Sequence, residues 1–282
     1  MKKVILILIA VLFLTACETK TTYPPNITPA NVTNLNETNT TLISLPKFLE
    51  AKYGDFNIFT FYFDSGATTN FIIFPNNETM LVDINSNDMN SMITYIKDLG
   101  FIRVNYIVLT SESEVYSSGA EKAITKLKPS KVYHNGLAVD AVESYNIEAL
   151  SADTTIDIGD VKVKFYIPYD DGLGFINNAN NLMVRFEYGF NSFLLGSCTG
   201  ICEERIPESM VSDVFILNQE CETSLYMMRN ARPSIIEHAD NICEKELNNI
   251  EQAGSDDIVN NFIVGMTSDG GELNVVKYEI KR

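Results

Sequence analysis

Histidine is scarce in this chain: His134 and His238 are the only two among 282 residues. A metal centre assembled mainly from imidazole needs several such donors converging on one ion, so that architecture is excluded. Basic residues are few as well, 21 against 37 acidic, for a formal net charge of -16. A surface of that sign repels phosphate backbones and anionic lipid headgroups unless a basic patch intervenes. The densest basic group, Lys122, Lys126, Lys128 and Lys131, follows helical and loop positions and reads as a solvated face. Nucleic acid is therefore disfavoured as a partner. A G-x-S-x-G elbow is missing too, which leaves Ser111, Ser113 and Ser197 as hydrogen-bonding loop serines rather than nucleophiles. The stretch 169–181, YDDGLGFINNANN, lacks the EF-hand spacing for calcium and reads as a solvated loop.

Long apolar runs are confined to the first residues. MKKVILILIAVLFLTACETK places Lys2 and Lys3 before about a dozen apolar residues, too few to span a bilayer comfortably and typical of a signal-peptide core. Its end, LTAC, resembles the lipobox of exported lipoproteins, in which a small residue precedes the cysteine that receives the lipid. The resemblance makes residues 1–16 a lipoprotein signal peptide and Cys17 the lipidated start of the mature chain. The protein is then expected at the outer face of the cytoplasmic membrane or at the cell surface, held by that lipid. The alternatives are an ordinary secretory signal, with Cys17 removed, or a weak membrane anchor; each exports the chain.

Residues 17–45 are rich in Thr, Asn and Pro and poor in bulky apolar residues. Such a segment cannot pack a core and is expected to tether a globular body away from the membrane. Asn26, Asn31, Asn36 and Asn39 each head an N-x-T sequon, as does Asn77, and all are candidate glycosylation acceptors in an exported chain.

With 45% hydrophobic residues, the chain can bury one large core or two small ones. Strand and helix signals alternate beyond the tether. Short β-branched and aromatic runs at 57–63, 70–74 and 79–84, separated by turn residues, predict antiparallel strands. Met89, Met92, Ile93, Ile96 and Leu99 are spaced for a helix over 89–99, stopped by Gly100. The run 104–109 predicts a strand buried on both faces. A helix over 119–127 and a strand over 131–134 follow. Further strands are expected at 161–167, 182–188, 192–195, 214–217, 234–237, 262–266 and 273–280, with helices at 202–210, 223–229 and 244–253. Sheets covered by helices, in one α/β layered domain over 46–282, accommodate these pieces.

Phe59 to Ser86, FTFYFDSGATTNFIIFPNNETMLVDINS, holds a strand ending in D-x-G (Asp64, Gly66), a second strand, a tight turn and a strand ending at Asp83. A helix, a linker and a buried strand then lead into the loop TSESEVYSSG. These pieces, in this order, resemble the metallo-β-lactamase fold, and within it the extracellular hydrolase-like domain of DNA-uptake competence proteins. The resemblance implies a four-layer αββα sandwich. It also implies that the loop after Leu109 corresponds to the family's T-H-x-H-x-D-H metal loop, where converging donors hold a hydrolytic metal and one position stays open for water. Thr110 matches, whereas Ser111, Ser113, Val115 and Tyr116 stand at the positions of the first two histidines, the aspartate and the third histidine. Cys198 stands at the position of the metal-bridging aspartate, and Gln219 or Glu220 where another histidine belongs. Serine hydroxyls do not ionise near neutral pH, and valine has no donor atom. Asp64, Gly66, Asp83, Glu112 and Glu114 remain as the remnant cleft, the aspartates as turn caps or acceptors for backbone N–H groups.

Four cysteines lie beyond Cys17: Cys198, Cys202, Cys221 and Cys243. An even number in an exported chain predicts two disulfides. The resembled architecture gathers them at the strand ends around the cleft and favours Cys198 with Cys221 and Cys202 with Cys243, two other pairings staying open. The alternative is a site rebuilt for zinc or manganese from Cys198 and Cys221 with Asp83, Glu112, Glu114 or His134. Oxidation in an exported protein would remove those thiolates. The expected protein is therefore a surface-anchored lipoprotein without catalysis or metal cofactor. Its partners would be the membrane and an unknown envelope protein or small ligand. The competing expectation is a divergent metal-dependent hydrolase of nuclease or phosphoesterase type.

Overall fold

A computed structural model describes residues 41–43, 51–111, 113–134, 146–150, 152–167, 182–196, 210–218, 223–240, 242–260 and 263–280. The described chain runs β1 (Thr41–Ile43), β2 (Phe56–Tyr62), β3 (Thr68–Ile73), β4 (Thr79–Val82), α1 (Met89–Asp98), β5 (Tyr106–Leu109), α2 (Glu114–Ser117), α3 (Ala120–Leu127), β6 (Lys131–His134) and β7 (Ile147–Ala149). It continues through β8 (Thr154–Ile158), β9 (Val161–Tyr166), β10 (Met183–Tyr188), β11 (Asn191–Gly196), β12 (Val214–Leu217), α4 (Leu225–Ala231), β13 (Ile235–Ala239), α5 (Glu244–Ala253), β14 (Asp256–Asn260), β15 (Ile263–Ser268) and β16 (Leu273–Ile280). One sheet is ordered β1-β16-β15-β2-β3-β4-β5-β6-β7 and the other β14-β13-β12-β11-β10-β9-β8. Neighbours from β16 to β4 and from β8 to β11 are antiparallel, and short turns join β2 to β3, β3 to β4, β8 to β9, β10 to β11 and β15 to β16. The parallel pairs β4–β5, β5–β6, β12–β13 and β13–β14 need crossovers, which the helices supply.

Alternation along the strands sorts the apolar residues into three cores and so into four layers. Phe56, Ile58, Ile72 and Val82 of the first sheet meet Phe186, Phe193, Ile216 and Ile235 of the second. The intervening Phe59, Phe61, Phe71 and Leu81 face Met92 and Ile96 of α1 and Ala123 and Ile124 of α3. On the far side Leu194, Phe215 and Ile236 pack under Met227 and Met228 of α4 and Ile250 of α5. The body is an αββα sandwich.

Four strands are not predicted by the sequence, and three of them have a weak local signal. The three-residue β7 and the edge strand β8 are half exposed, and β14 opens with Asp256 and Asp257, residues depleted from strands but common on guarded edges. The short β1 pairs in parallel with β16 inside the stretch read as tether. The strand expected at 104–109 starts at Tyr106, and a separate helical turn, α2, precedes the helix expected over 119–127. The helix expected at 202–210 lies outside the described residues except for Met210.

Candidate functional site

One end of the layer between the sheets is polar. Inward positions along β2 run Phe56, Ile58, Thr60, Tyr62, and along β3 they run from Ile72 to Asn70 and Thr68; on β13 Ile235 is followed by Glu237. All of these polar residues are buried. The Thr60 hydroxyl lies 3.0 Å from Asn70 Oδ1 and 3.3 Å from Glu237 Oε2, bridging the sheets. Tyr62 donates its hydroxyl to the Leu217 carbonyl at 3.3 Å. Burial pushes the Tyr62 phenol well above its ordinary value, and the neighbouring Glu237, Tyr116 and Glu246 push it further. Glu246, buried in the first turn of α5, accepts from the Thr223 N–H at 3.2 Å. Sequence reasoning missed Thr60, Tyr62, Asn70, Glu237 and Glu246. For the first four the available signal was a polar residue at an inward strand position, where alternation calls for an apolar one.

The loop after β5 lies at this same end. Asp83, buried and held at φ 59, accepts from the Thr110 N–H at 2.7 Å and from the Thr110 hydroxyl. This pins the end of β4 to the end of β5, as expected of an acceptor for backbone N–H groups. The Leu182 N–H, entering β10, donates to the Thr110 carbonyl at 2.6 Å and ties in the second sheet. Ser111 is buried, and its Oγ accepts from the Ser113 N–H at 3.2 Å. Ser113 precedes α2, Glu114 is exposed, and the half-buried Val115 offers only its carbonyl, to the Asn85 amide at 3.0 Å. Tyr116, with 0% exposure, is carried into the interior because Ile84 N–H bonds its carbonyl at 2.8 Å. Asp64 is exposed in the β2–β3 turn, beside Gly66 at φ 82. Asp88, bonded by the Ser65 hydroxyl, has its carboxyl raised first by burial and then by Asp64, against the lowering effect of that bond.

Ser111, Ser113, Val115, Tyr116 and Asp83 thus come together. Glu112, Ser197, Cys198, Cys202, Gln219, Glu220, Cys221, the stretch 169–181, Cys17, Asn26, Asn31, Asn36 and Asn39 lie outside the described residues. Cys243 stands at the N-cap position of α5, and Asn77 lies in the turn between β3 and β4.

No protein-family model matches the sequence, and no curated protein matches it. The metallo-β-lactamase fold protein YhfI from Bacillus subtilis aligns with a TM-score of 0.53 at 10% identity, over 76% of this chain and 100% of that one. The chain has the metallo-β-lactamase fold. Igni18, a novel metallo hydrolase from the hyperthermophilic archaeon Ignicoccus hospitalis, aligns with a TM-score of 0.51 at 12% identity, over 79% of this chain and 100% of that one. Likeness at such identity carries the fold, and chemistry has to be argued from the site.

The metallo-β-lactamase fold implies a divalent metal at these strand ends, and the described donors do not fit one. Ser111 and Ser113 offer neutral hydroxyls, Val115 none, Tyr116 is enclosed, and both Asp83 oxygens are engaged by Thr110. Among the described residues no three His, Cys, Asp or Glu side chains are grouped to hold a metal ion. The histidines do not converge either. Val132 faces the helices of the first sheet and Tyr133 faces the other sheet, so alternation turns His134 to the helix side. His238 follows Glu237 and faces the helices of the second sheet, with Nδ1 2.7 Å from the Ala239 carbonyl and Nε2 3.6 Å from Asp257 Oδ2.

His134 supplies a pH test of this packing. Burial lowers its pKa below the ordinary 6.5, so the folded chain binds the proton less readily than the unfolded one. Its stabilising contribution is complete above 6.5 and is lost as pH falls through the lowered folded value. The urea midpoint should fall on going from about pH 7 to pH 5, and His134→Gln should fall less. Parallel curves for the two proteins would rule out His134 as a source of the acid sensitivity.

Proposed function

We propose that this chain is a lipid-anchored protein of the cell envelope whose metallo-β-lactamase-fold body has given up metal chemistry and serves as a binding or scaffolding unit. The observation that carries this reading is Tyr116: where the resemblance places a metal-binding histidine, a fully buried ring occupies the interior. Ser111, Ser113 and Val115 support it by donor chemistry. Export is supported by the charged, then apolar, then Cys17 pattern at the N-terminus. A lipid on Cys17 would place the body at the outer membrane face, with the Thr/Asn/Pro-rich segment as spacer. The partner is then an envelope protein or small ligand, since a net charge of -16 disfavours nucleic acid.

The test is metal analysis with nuclease and phosphoesterase assays on the detergent-extracted full chain, and membrane fractionation of wild type and Cys17→Ser. Metal well below one equivalent, no turnover, and release of Cys17→Ser from the membrane are expected. Stoichiometric zinc or manganese with turnover would establish the divergent hydrolase instead.

A further inference from the structure

Of the five sequons, Asn77 is the one that falls among the described residues. Its turn precedes β4, which runs from Thr79 to Val82 and ends beside Asp83, so Asn77 lies at the end of the sandwich opposite Tyr116. Two bonds close the turn: Asn77 N–H to the Phe74 carbonyl at 2.8 Å and Phe74 N–H to the Glu78 carbonyl at 2.9 Å. They hold Asn77 at φ 64, a left-handed conformation that glycine and asparagine accept most readily. Backbone need alone would account for an asparagine here, so the use of its side chain is the informative point. Asn76 makes the local bonds: its Oδ1 accepts from the Glu78 N–H at 3.0 Å and its Nδ2 donates to Glu78 Oε2 at 2.9 Å. The Asn77 carboxamide is exposed and bonds no described residue. Thr79, which completes the sequon, is the opposite case. It has 0% exposure, accepts from the Asn105 N–H at 3.3 Å, and lies 3.3 Å from Asn105 Oδ1.

We infer that Asn77 carries an N-linked saccharide, attached before β4 takes its place between β3 and β5. The inference rests on the export reading above. The donor is a saccharide on a lipid-linked phosphate. Asn77 Nδ2 attacks the anomeric carbon, an N–C bond forms as the C–O bond to phosphate breaks, and the lipid phosphate leaves with the electron pair while the amide nitrogen loses one proton. A transferase that reads the sequon requires the hydroxyl two residues on, and Thr79 presents it only while the chain is unfolded. Folding then buries Thr79 and leaves the saccharide on an exposed side chain whose bonds it does not disturb. The saccharide projects away from the Tyr116 end.

The test is peptide mass analysis of the full chain purified from its native envelope. A saccharide mass on the Asn77 peptide is expected in wild type and absent in Asn77→Gly, where glycine keeps the turn. Already folded, unmodified protein incubated with native membranes should stay bare at Asn77. A bare Asn77 on a chain that is lipidated at Cys17 or glycosylated in the tether would overturn this inference and leave the export reading standing. A chain recovered from the cytoplasm with its first residues intact would overturn both. Modification of the folded protein at Asn77 would overturn the stated order of events.

Discussion

Tyr116→Ala is expected to lower the unfolding free energy by about 3–5 kcal/mol, the range for truncating a fully buried aromatic ring. The loss has a transfer part and a cavity part, and the second is large only where the surroundings cannot close in. Here they cannot. The backbone on either side of the ring is tied to the loop after β4 by Ile84 N–H to the Tyr116 carbonyl, Gly119 N–H to the Ile84 carbonyl and the Asn85 amide to the Val115 carbonyl. A Cβ at Gly119 would already lie 2.8 Å from the Ile84 oxygen, so this segment has no room to slide inward. Tyr116→Phe keeps the ring and removes the hydroxyl alone, so it should cost far less than Tyr116→Ala. The chain has no tryptophan, so urea unfolding is best followed by circular dichroism. A loss for Tyr116→Ala no greater than for Tyr116→Phe would mean that the ring lines an open cleft, and the proposed function would lose its main support.

Gly189→Ala is the second large effect, at the other end of the sandwich. Gly189, in the β10–β11 turn at φ 58, meets the turn joining β15 and β16 so closely that a Cβ would stand 2.2 Å from the Gly270 oxygen and 2.6 Å from its Cα. Phe190 N–H donates to that same oxygen at 2.7 Å. The substitution therefore adds left-handed strain, forces two backbones apart and breaks a bond between the sheets, for a loss of about 3 kcal/mol or more. Gly254→Ala separates these causes. Gly254, at φ 75 after α5, has nothing within 4 Å of a built Cβ, so only the conformational cost of about 1–2 kcal/mol applies. Asparagine, which tolerates φ > 0, should not rescue position 189 because its Cβ meets the same atoms. Equal losses at 189 and 254 would show that the turns do not meet so tightly.

Most of the layered body is legible before any coordinates. Strands β2 to β6 and β9 to β13 are buried runs of apolar, β-branched and aromatic residues, and α1 carries helical spacing with a glycine stop. Those signals are local, because burial on one face or both is written into each segment's own residues. Edge strands β7, β8 and β14 are paired on one side and half exposed, so their residues answer to solvent as much as to the sheet. The role of Asp83 as a backbone acceptor was also legible from its place at a strand end.

The state of the cleft was not legible. The sequence alone determined which atoms occupy the loop after β5, and with them the absence of imidazole from its ligand positions. Only the tertiary structure decided that Tyr116 is sealed inside and that Glu237 reaches Thr60, 177 residues away in the chain. Burial of a polar or aromatic group depends on what packs over it from distant segments, and no local pattern encodes that distance.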